Sequence, residues 1–318
     1  MTDMELRTLG RGGPSVSAIG LGTNNFGRKL DESAVRGVVD AALDAGITFI
    51  DTADIYGGDG QSEVLLGRAL GTRRRDVVLA SKFGMRMGDD QDRRGASRAW
   101  VMRAVEDSLR RLGTDHIDLY QIHEPDPLVP IEETLRALDD LVRQGKVAFV
   151  GHSNFAGWQV ADAHWTAVTH GLAVPVSEQS HYNLLERAVE QEVLAACRAY
   201  GLGFIPYFPL ASGLLTGKYG PKSRPANGRI IGTPRESTLL TPRNFALLER
   251  LGRFAGDAGH SLLELAFGYL LSQPEVATVI SGASSPEQVR QNVESGGWRL
   301  TADELAGARA ILDADESN

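Results

Sequence analysis

The sequence predicts a (β/α)8 TIM barrel, and three observations carry that prediction. Eight short apolar or β-branched runs recur along the 318 residues, amphipathic helical segments lie between them, and no linker or compositional break divides the series. Eight βα units in a chain longer than about 250 residues are what such a barrel requires. One domain over residues 1–318 is therefore expected, with a doubly wound open sheet as the alternative architecture. The composition, 42% hydrophobic and 23% charged, suits a globular chain with a sizeable core.

The elements follow in order. LRTLGRGG (6–13) reads as a short hairpin that plugs the bottom of the barrel. The strand candidates are VSAIGLGT (16–23), TFIDTA (48–53), VVLASKF (77–83), IDLYQIH (117–123), VAFVGHSN (147–154), PVSEQS (175–180), GFIPYFPL (203–210) and ATVISGA (277–283). Between them, DESAVRGVVDAALDAG (31–46) has an acidic first turn and stops at Gly46, and IEETLRALDDLVRQG (131–145) stops at Gly145; both are helix signals. Residues 211–242 form a Gly/Pro-rich insertion after the seventh run. Loops of that length without regular structure are usually functional or disordered, and the lysines and arginines here suggest an anion clamp. TADELAGARAIL (301–312) reads as an extra C-terminal helix.

Charge and cysteine content exclude several classes. The net charge is −8, and apart from Arg73-Arg74-Arg75 the basic residues are scattered, which argues against a nucleic-acid or anionic-membrane surface. The one cysteine, Cys197, cannot close an internal disulfide and reads as a small core residue. No start resembling a signal peptide and no long apolar span is present. The expectation is a soluble cytoplasmic protein.

In a (β/α)8 barrel the C-terminal strand ends converge on one face, where active sites are built. Here they deliver Thr23 and Asn24, then Asp51, Lys82, His123, Ser153 and Asn154, Gln179, Tyr207, and finally Gly282, Ala283 and Ser284. A single strand-end lysine or histidine is more often a solvated loop residue than a catalyst. Eight coincident polar, aromatic or glycine ends are not explained that way.

FIDTADIYG (49–57) runs an apolar strand straight into Asp51, and burying a lone carboxylate costs several kcal/mol. Lys82 on the neighbouring strand is the expected counter-charge. Its ammonium would also favour the phenolate of Tyr56 and lower its pKa, making Tyr56 a credible proton donor. His123 could bind or polarise a carbonyl oxygen. Nothing in this set is an obvious nucleophile, so the pattern suits an acid-assisted reduction whose hydride comes from a cofactor.

At this point a resemblance can be stated. Asp51 and Tyr56 in FIDTADIYG, Lys82 in LASKFG and His123 in DLYQIHEPD resemble the catalytic tetrad of the aldo-keto reductase superfamily, strand by strand over nearly the whole chain. The resemblance implies NADPH as cofactor and a small-molecule carbonyl as substrate, in a monomer. It implies that Ser153, Asn154 and Gln179 hold the nicotinamide carboxamide, that Tyr207 stacks on the nicotinamide, and that Gly22, Thr23, Asn24 and Asp51 line its seat. SGASSPEQVRQN (281–292) resembles the adenine and 2′-phosphate site, with Gly282, Ala283, Ser284, Gln288, Gln291 and Asn292; Ser285 and Pro286 read as a helix start. In the insertion, Leu210, Ser212, Gly213, Leu215, Gly217, Lys218 and Arg229 resemble the phosphate-binding segment of the branch that includes potassium-channel β subunits. Glutamine at 288, where some members place a basic residue, leaves dual NAD use open.

The substrate wall is assigned to Asn25, Phe83, Glu124 and Trp158, and Asp54 to shaping or capping its turn. Two Asn residues after GLGT make a polar rim, which points to a hydroxylated or sugar-like carbonyl. Three functions share this pattern: a carbonyl reductase, a sugar-nucleotide keto- or enoyl-reductase, and an NADPH-binding regulatory subunit with little turnover. GLGTNNFG has the wrong last gap for a dinucleotide fingerprint, and SGLLTGKY lacks the spacing of a P-loop. His123-Glu124 has no second histidine at ligand spacing, so no metal site is expected.

Overall fold

The computed structural model describes residues 4–90, 92–225 and 228–316; Met1 to Asp3, Gln91, Ala226 and Asn227 of the insertion, Ser317 and Asn318 lie outside the described residues. A two-stranded antiparallel hairpin, β1 (Leu6–Thr8) with β2 (Ser15–Ser17), opens the chain. Eight parallel strands follow: β3 (Ile19–Gly22), β4 (Phe49–Asp51), β5 (Val78–Phe83), β6 (Ile117–Ile122), β7 (Val147–Ser153), β8 (Ser177–His181), β9 (Gly203–Tyr207) and β10 (Val279–Gly282). Their order in the sheet is β10-β3-β4-β5-β6-β7-β8-β9. Phe204 closes the ring: its amide donates to Glu275 O at 2.7 Å and its carbonyl accepts from Ala277 N at 3.0 Å. A closed ring in sequence order is the (β/α)8 TIM barrel, not the open sheet.

The helices are α1 (Glu32–Asp44), α2 (Gln61–Leu70), α3 (Arg98–Leu112), α4 (Ile131–Arg143), α5 (Gly157–His170), α6 (Val193–Tyr200), α7 (Arg235–Leu239), α8 (Pro242–Asp257), α9 (Leu262–Leu271), α10 (Pro286–Ser295) and α11 (Ala302–Glu316). Several starts are written in side chains: Asp31 caps α1 through Ala34 N, Ser97 caps α3, Thr241 caps α8, and Ser261 with Glu264 forms a capping box on α9. The stops expected at Gly46 and Gly145 fall just past α1 and α4. α4 buries Leu135, Leu138 and Leu141 on one face while Glu132 and Arg136 pair on the exposed one.

Two expectations need correction. The run 16–23 is two strands, because Ser17 breaks it: its Oγ donates to Ile19 O at 2.7 Å and accepts Thr48 N at 2.9 Å. The second strand of the hairpin therefore comes from what reads as barrel strand. Leu9 and Val16 of this hairpin are wholly buried with Phe49, Ala80, Leu119 and Ile205, so it does fill the barrel floor. The insertion is also not irregular throughout. It holds a 3₁₀ turn at Ala211–Thr216 and α7, and it buries Leu214, Leu215 and Ile230 completely; apolar burial anchors it to the body.

Candidate active site

Asp51 ends β4 and is 1% exposed. Lys82, inward-facing on β5 and fully buried, donates from Nζ to Asp51 Oδ1 at 2.8 Å, to Oδ2 at 2.6 Å and to Thr52 O at 2.9 Å. Gln179 on β8 adds a donation from Nε2 to Asp51 Oδ1 at 2.9 Å. Close geometry and further donors are what a buried ion pair needs to offset desolvation. Asp51 holds the Lys82 ammonium above its ordinary value against burial, which is the largest influence and pulls the other way.

The turn after Asp51 returns Tyr56 to the same spot. Tyr56 N bonds Ala53 O at 3.1 Å, and Tyr56 O accepts Ser62 N at 3.1 Å. Gly57 makes the reversal at φ +78°, where a Cβ would lie 2.6 Å from Phe26 O. Lys82 Nζ sits 5.1 Å from the Tyr56 ring centroid, and the His123 ring meets Tyr56 edge-on at 5.8 Å. Asp51, Tyr56, Lys82 and His123 are thus brought together. The expected lowering of the Tyr56 pKa is corrected: burial outweighs the opposing Lys82 charge and the net displacement is upward. His123 is pushed well below its ordinary value by burial and by Lys82, so the ring is neutral near pH 7. Its Nδ1 is buried without a partner among the described residues, leaving Nε2 as the nitrogen available to a ligand.

Beside these four, Asn154 holds a left-handed backbone, φ +62°. Its Nδ2 donates to His123 O at 2.9 Å and Ser153 Oγ at 3.1 Å, and its Oδ1 accepts the Tyr207 hydroxyl at 2.8 Å. Ser153 Oγ donates to Gln179 O at 2.6 Å. Thr23 Oγ1 donates to Asp51 O at 3.0 Å, tying β3 to β4.

The insertion brings cations to the same end. Arg229 Nη2 reaches Asn24 Oδ1 at 3.2 Å, and Arg235 Nη1 reaches Ser212 Oγ at 3.2 Å. Both guanidiniums lie over the Phe208 ring, at 5.5 and 4.7 Å. Burial, then neighbouring Arg235, lowers Arg229, while burial and Arg229 lower Lys218. Such mutual repulsion is relieved by an anion. Gly213, at φ +95°, leaves room for Lys218, whose Nζ would stand 3.2 Å from a Cβ there; a Cβ on Gly282 would stand 3.6 Å from Arg229 Nη1. Ala211 and Ser212 also hold left-handed backbones, φ 45° and 59°, a strained pair of the kind that clusters at functional sites. Leu210, Leu215 and Gly217 shape this turn. At β10, Ser284 donates to Gln288 Oε1 from N at 2.8 Å and from Oγ at 2.9 Å, and Asn292 Nδ2 donates to Ser281 Oγ at 3.1 Å. Gly22 pairs with Gly282 across β3–β10; Ala283 is buried and Gln291 exposed.

Two placements differ from expectation. Phe83 is wholly buried and stacks on Tyr120 at 4.8 Å, because strand alternation turns it outward to the helices when Lys82 turns inward. Trp158 stands 66% exposed on the first turn of α5, outside the core. Asn25 is buried with its Nδ2 3.5 Å from a Cβ on Gly282, on the side of Arg229. Asp54 is wholly buried in its turn, where the Ile55 amide acts on its carboxyl and no other group among the described residues bonds it. Glu124 is exposed and lines a cleft of about 740 Å³ with Gly84, Arg86, Trp100, Asp126 and Leu128. Arg235, Phe208 and His181 escaped the sequence reading; Arg235 alone had a signal, as one more cation in a Gly/Pro-rich insertion. Among the described residues no cluster could hold a metal ion, and no helix is long and apolar enough to cross a membrane.

Comparison with known proteins gives a consistent result. The Aldo/keto reductase family model matches residues 18–313. An uncharacterized oxidoreductase of Bacillus subtilis, YrpG, is 39% identical over 302 residues, covering 92% of this chain and 91% of its own. The aldo-keto reductase YhdN of the same organism is 36% identical, covering 98% and 94%. A probable voltage-gated potassium channel subunit beta of Oryza sativa is 34% identical, covering 92% and 91%.

Proposed function

The chain belongs to the aldo/keto reductase family, and from that premise we propose that it is an NADPH-dependent oxidoreductase that reduces an aldehyde, ketone or sugar-derived carbonyl to an alcohol. One observation carries the reading: the buried Lys82–Asp51 pair lies 5.1 Å from the Tyr56 ring, with neutral His123 edge-on to that ring at 5.8 Å. The residues fit the cofactor, since Lys218, Arg229 and Arg235 form an anion-seeking cluster beside Gly213 and Gly282. NADPH, when bound, supplies the hydride.

Tyr56, a phenol whose ordinary value of about 10 already lies above neutral pH, keeps its proton there, and burial raises it further. As negative charge develops on the carbonyl oxygen, the Tyr56 Oη proton passes to it, and the Lys82 ammonium stabilises the phenolate left behind. Asp51 keeps Lys82 charged and placed. Neutral His123 orients the carbonyl through Nε2. Ser153, Asn154, Gln179 and Tyr207 are the residues that would seat the nicotinamide, with Ser284, Gln288 and Asn292 at the adenosine end.

A second reading draws on the similarity to a named channel β subunit: an NADPH-binding regulatory subunit with little turnover. A panel of aldehydes, ketones and sugars, followed by loss of NADPH absorbance and repeated with NADH, separates the two. Turnover in wild type that Tyr56→Phe nearly abolishes, with NADPH binding intact, supports the reductase. Tight NADPH with no turnover on any carbonyl supports the subunit.

A further inference from the structure

We infer that the Tyr207 hydroxyl is a positioning group for His123 and acts through Asn154, an inference that rests on the reductase reading above. The link is continuous. Tyr207 Oη donates to Asn154 Oδ1 at 2.8 Å, and Asn154 Nδ2 donates to the carbonyl of His123 at 2.9 Å. The amide of His123 is pinned on its other side, donating to Phe83 O at 2.8 Å. Both backbone polar groups of His123 are therefore held, one by the strand neighbour and one by a side chain that Tyr207 holds in turn.

Asn154 needs such restraint. A left-handed non-glycine residue costs about 1–3 kcal/mol unless its surroundings determine it, although Asn tolerates it best. Here the main-chain N bonds Gln179 O at 3.0 Å while the side chain bonds in two directions. Removing the Tyr207 hydroxyl frees one of those directions and leaves the Asn154 amide able to turn away from His123.

Tyr207 is itself backed. Its ring lies parallel to His181, 5.3 Å away at 6°. Asn183 Oδ1 accepts from Leu185 N at 2.8 Å and Glu186 N at 3.1 Å, so its Nδ2 is the atom that faces His181 Nε2 at 3.1 Å and Phe208 O at 3.0 Å. His181 Nε2 is thus an acceptor and carries no proton. A fixed neutral imidazole walls one face of Tyr207, and the ring keeps its hydroxyl on Asn154. The ring and the hydroxyl accordingly have separable tasks: one presents a flat face, the other braces the carbonyl-orienting histidine.

Tyr207→Phe tests this, because it keeps the ring and deletes the brace. With a carbonyl that the wild type turns over, kcat falls about fivefold, the size of one neutral hydrogen bond, while the NADPH Kd stays within about twofold. In a His123→Ala background the same substitution has no further effect, since its route is gone. Equal losses in both backgrounds, or a loss confined to NADPH binding, overturn the inference. A second readout does not need turnover: the ring resonances of His123, identified by their loss in His123→Ala, shift in Tyr207→Phe while the circular dichroism stays that of wild type. Unmoved resonances overturn the inference even if no carbonyl is reduced. Failure of wild type to oxidise NADPH with any carbonyl, with the resonances shifting as expected, counts against the reductase reading alone.

Discussion

Gln179 Nε2 donates to Asp51 Oδ1 at 2.9 Å, sharing that oxygen with Lys82, which also reaches Oδ2 of the same carboxylate. A residue whose family resemblance points to the cofactor is, in this arrangement, also a donor to the buried charge. One carboxylate therefore ties β4, β5 and β8 together beneath Tyr56, and its energetics are testable without any substrate.

Removing one partner of a buried pair strands the other charge. Lys82→Met lowers the unfolding free energy by about 3–5 kcal/mol, and adding Asp51→Asn recovers a large part of it, measured by urea denaturation. Because the folded Lys82 value is raised, its contribution is complete below the unfolded lysine value of about 10.4 and is lost as pH rises through the higher folded one. Simple additivity of the two substitutions would show that the pair is not coupled.

Asp54 is wholly buried, and among the described residues only the Ile55 amide bonds its carboxyl. Burial, then the Glu63 carboxylate, pushes it well above the ordinary carboxyl range, against the opposing Arg111 charge, the Ile55 amide and the Lys82 charge. A carboxyl with a raised folded value binds its proton more tightly in the native state, so it lowers stability as pH rises from the unfolded value of about 3.9 toward the folded one. Asp54→Asn, neutral in both states, should melt higher than wild type at pH 7, and the gap should close as pH falls toward 4. A gap that widens on acidification would mean that Asp54 is ionised in the fold.

The insertion predicts cofactor behaviour. Arg235→Ala raises the NADPH Kd about tenfold by loss of a charged contact, and the effect shrinks as ionic strength rises. Fluorescence titration with NADPH and NADH decides where the charge acts. A larger effect on NADPH assigns Arg235 to the 2′-phosphate, and an equal effect assigns it to the phosphates that both cofactors share. No effect on either would remove the insertion from the cofactor site.

The residues that were legible in the sequence are those whose local pattern carries the chemistry. FIDTADIYG shows an apolar strand meeting Asp51, a tight turn and Tyr56, and the alternation of runs and helices brings Lys82 and His123 to the same barrel end. The placements that a local reading misses have separate physical causes. Strand alternation sends Lys82 inward and Phe83 outward, so reading two neighbours onto one wall breaks a period of two. Asp54 is polar and sits in a turn, yet the packing around Glu63, Ser81 and Arg111 closes over it.

Local pattern sufficed for the eight-fold alternation, the stops at Gly46 and Gly145, the helix start at Ser285, and the four residues that meet at the mouth, because strand period, capping chemistry and turn glycines are local properties. The tertiary contacts set which face of β5 looks into the barrel, how Ser17 divides the first run, and that Tyr207, Asn154 and His123 form one hydrogen-bonded line. Those depend on contacts between residues 31 to 53 apart in sequence, for which no local pattern in a single chain encodes a partner.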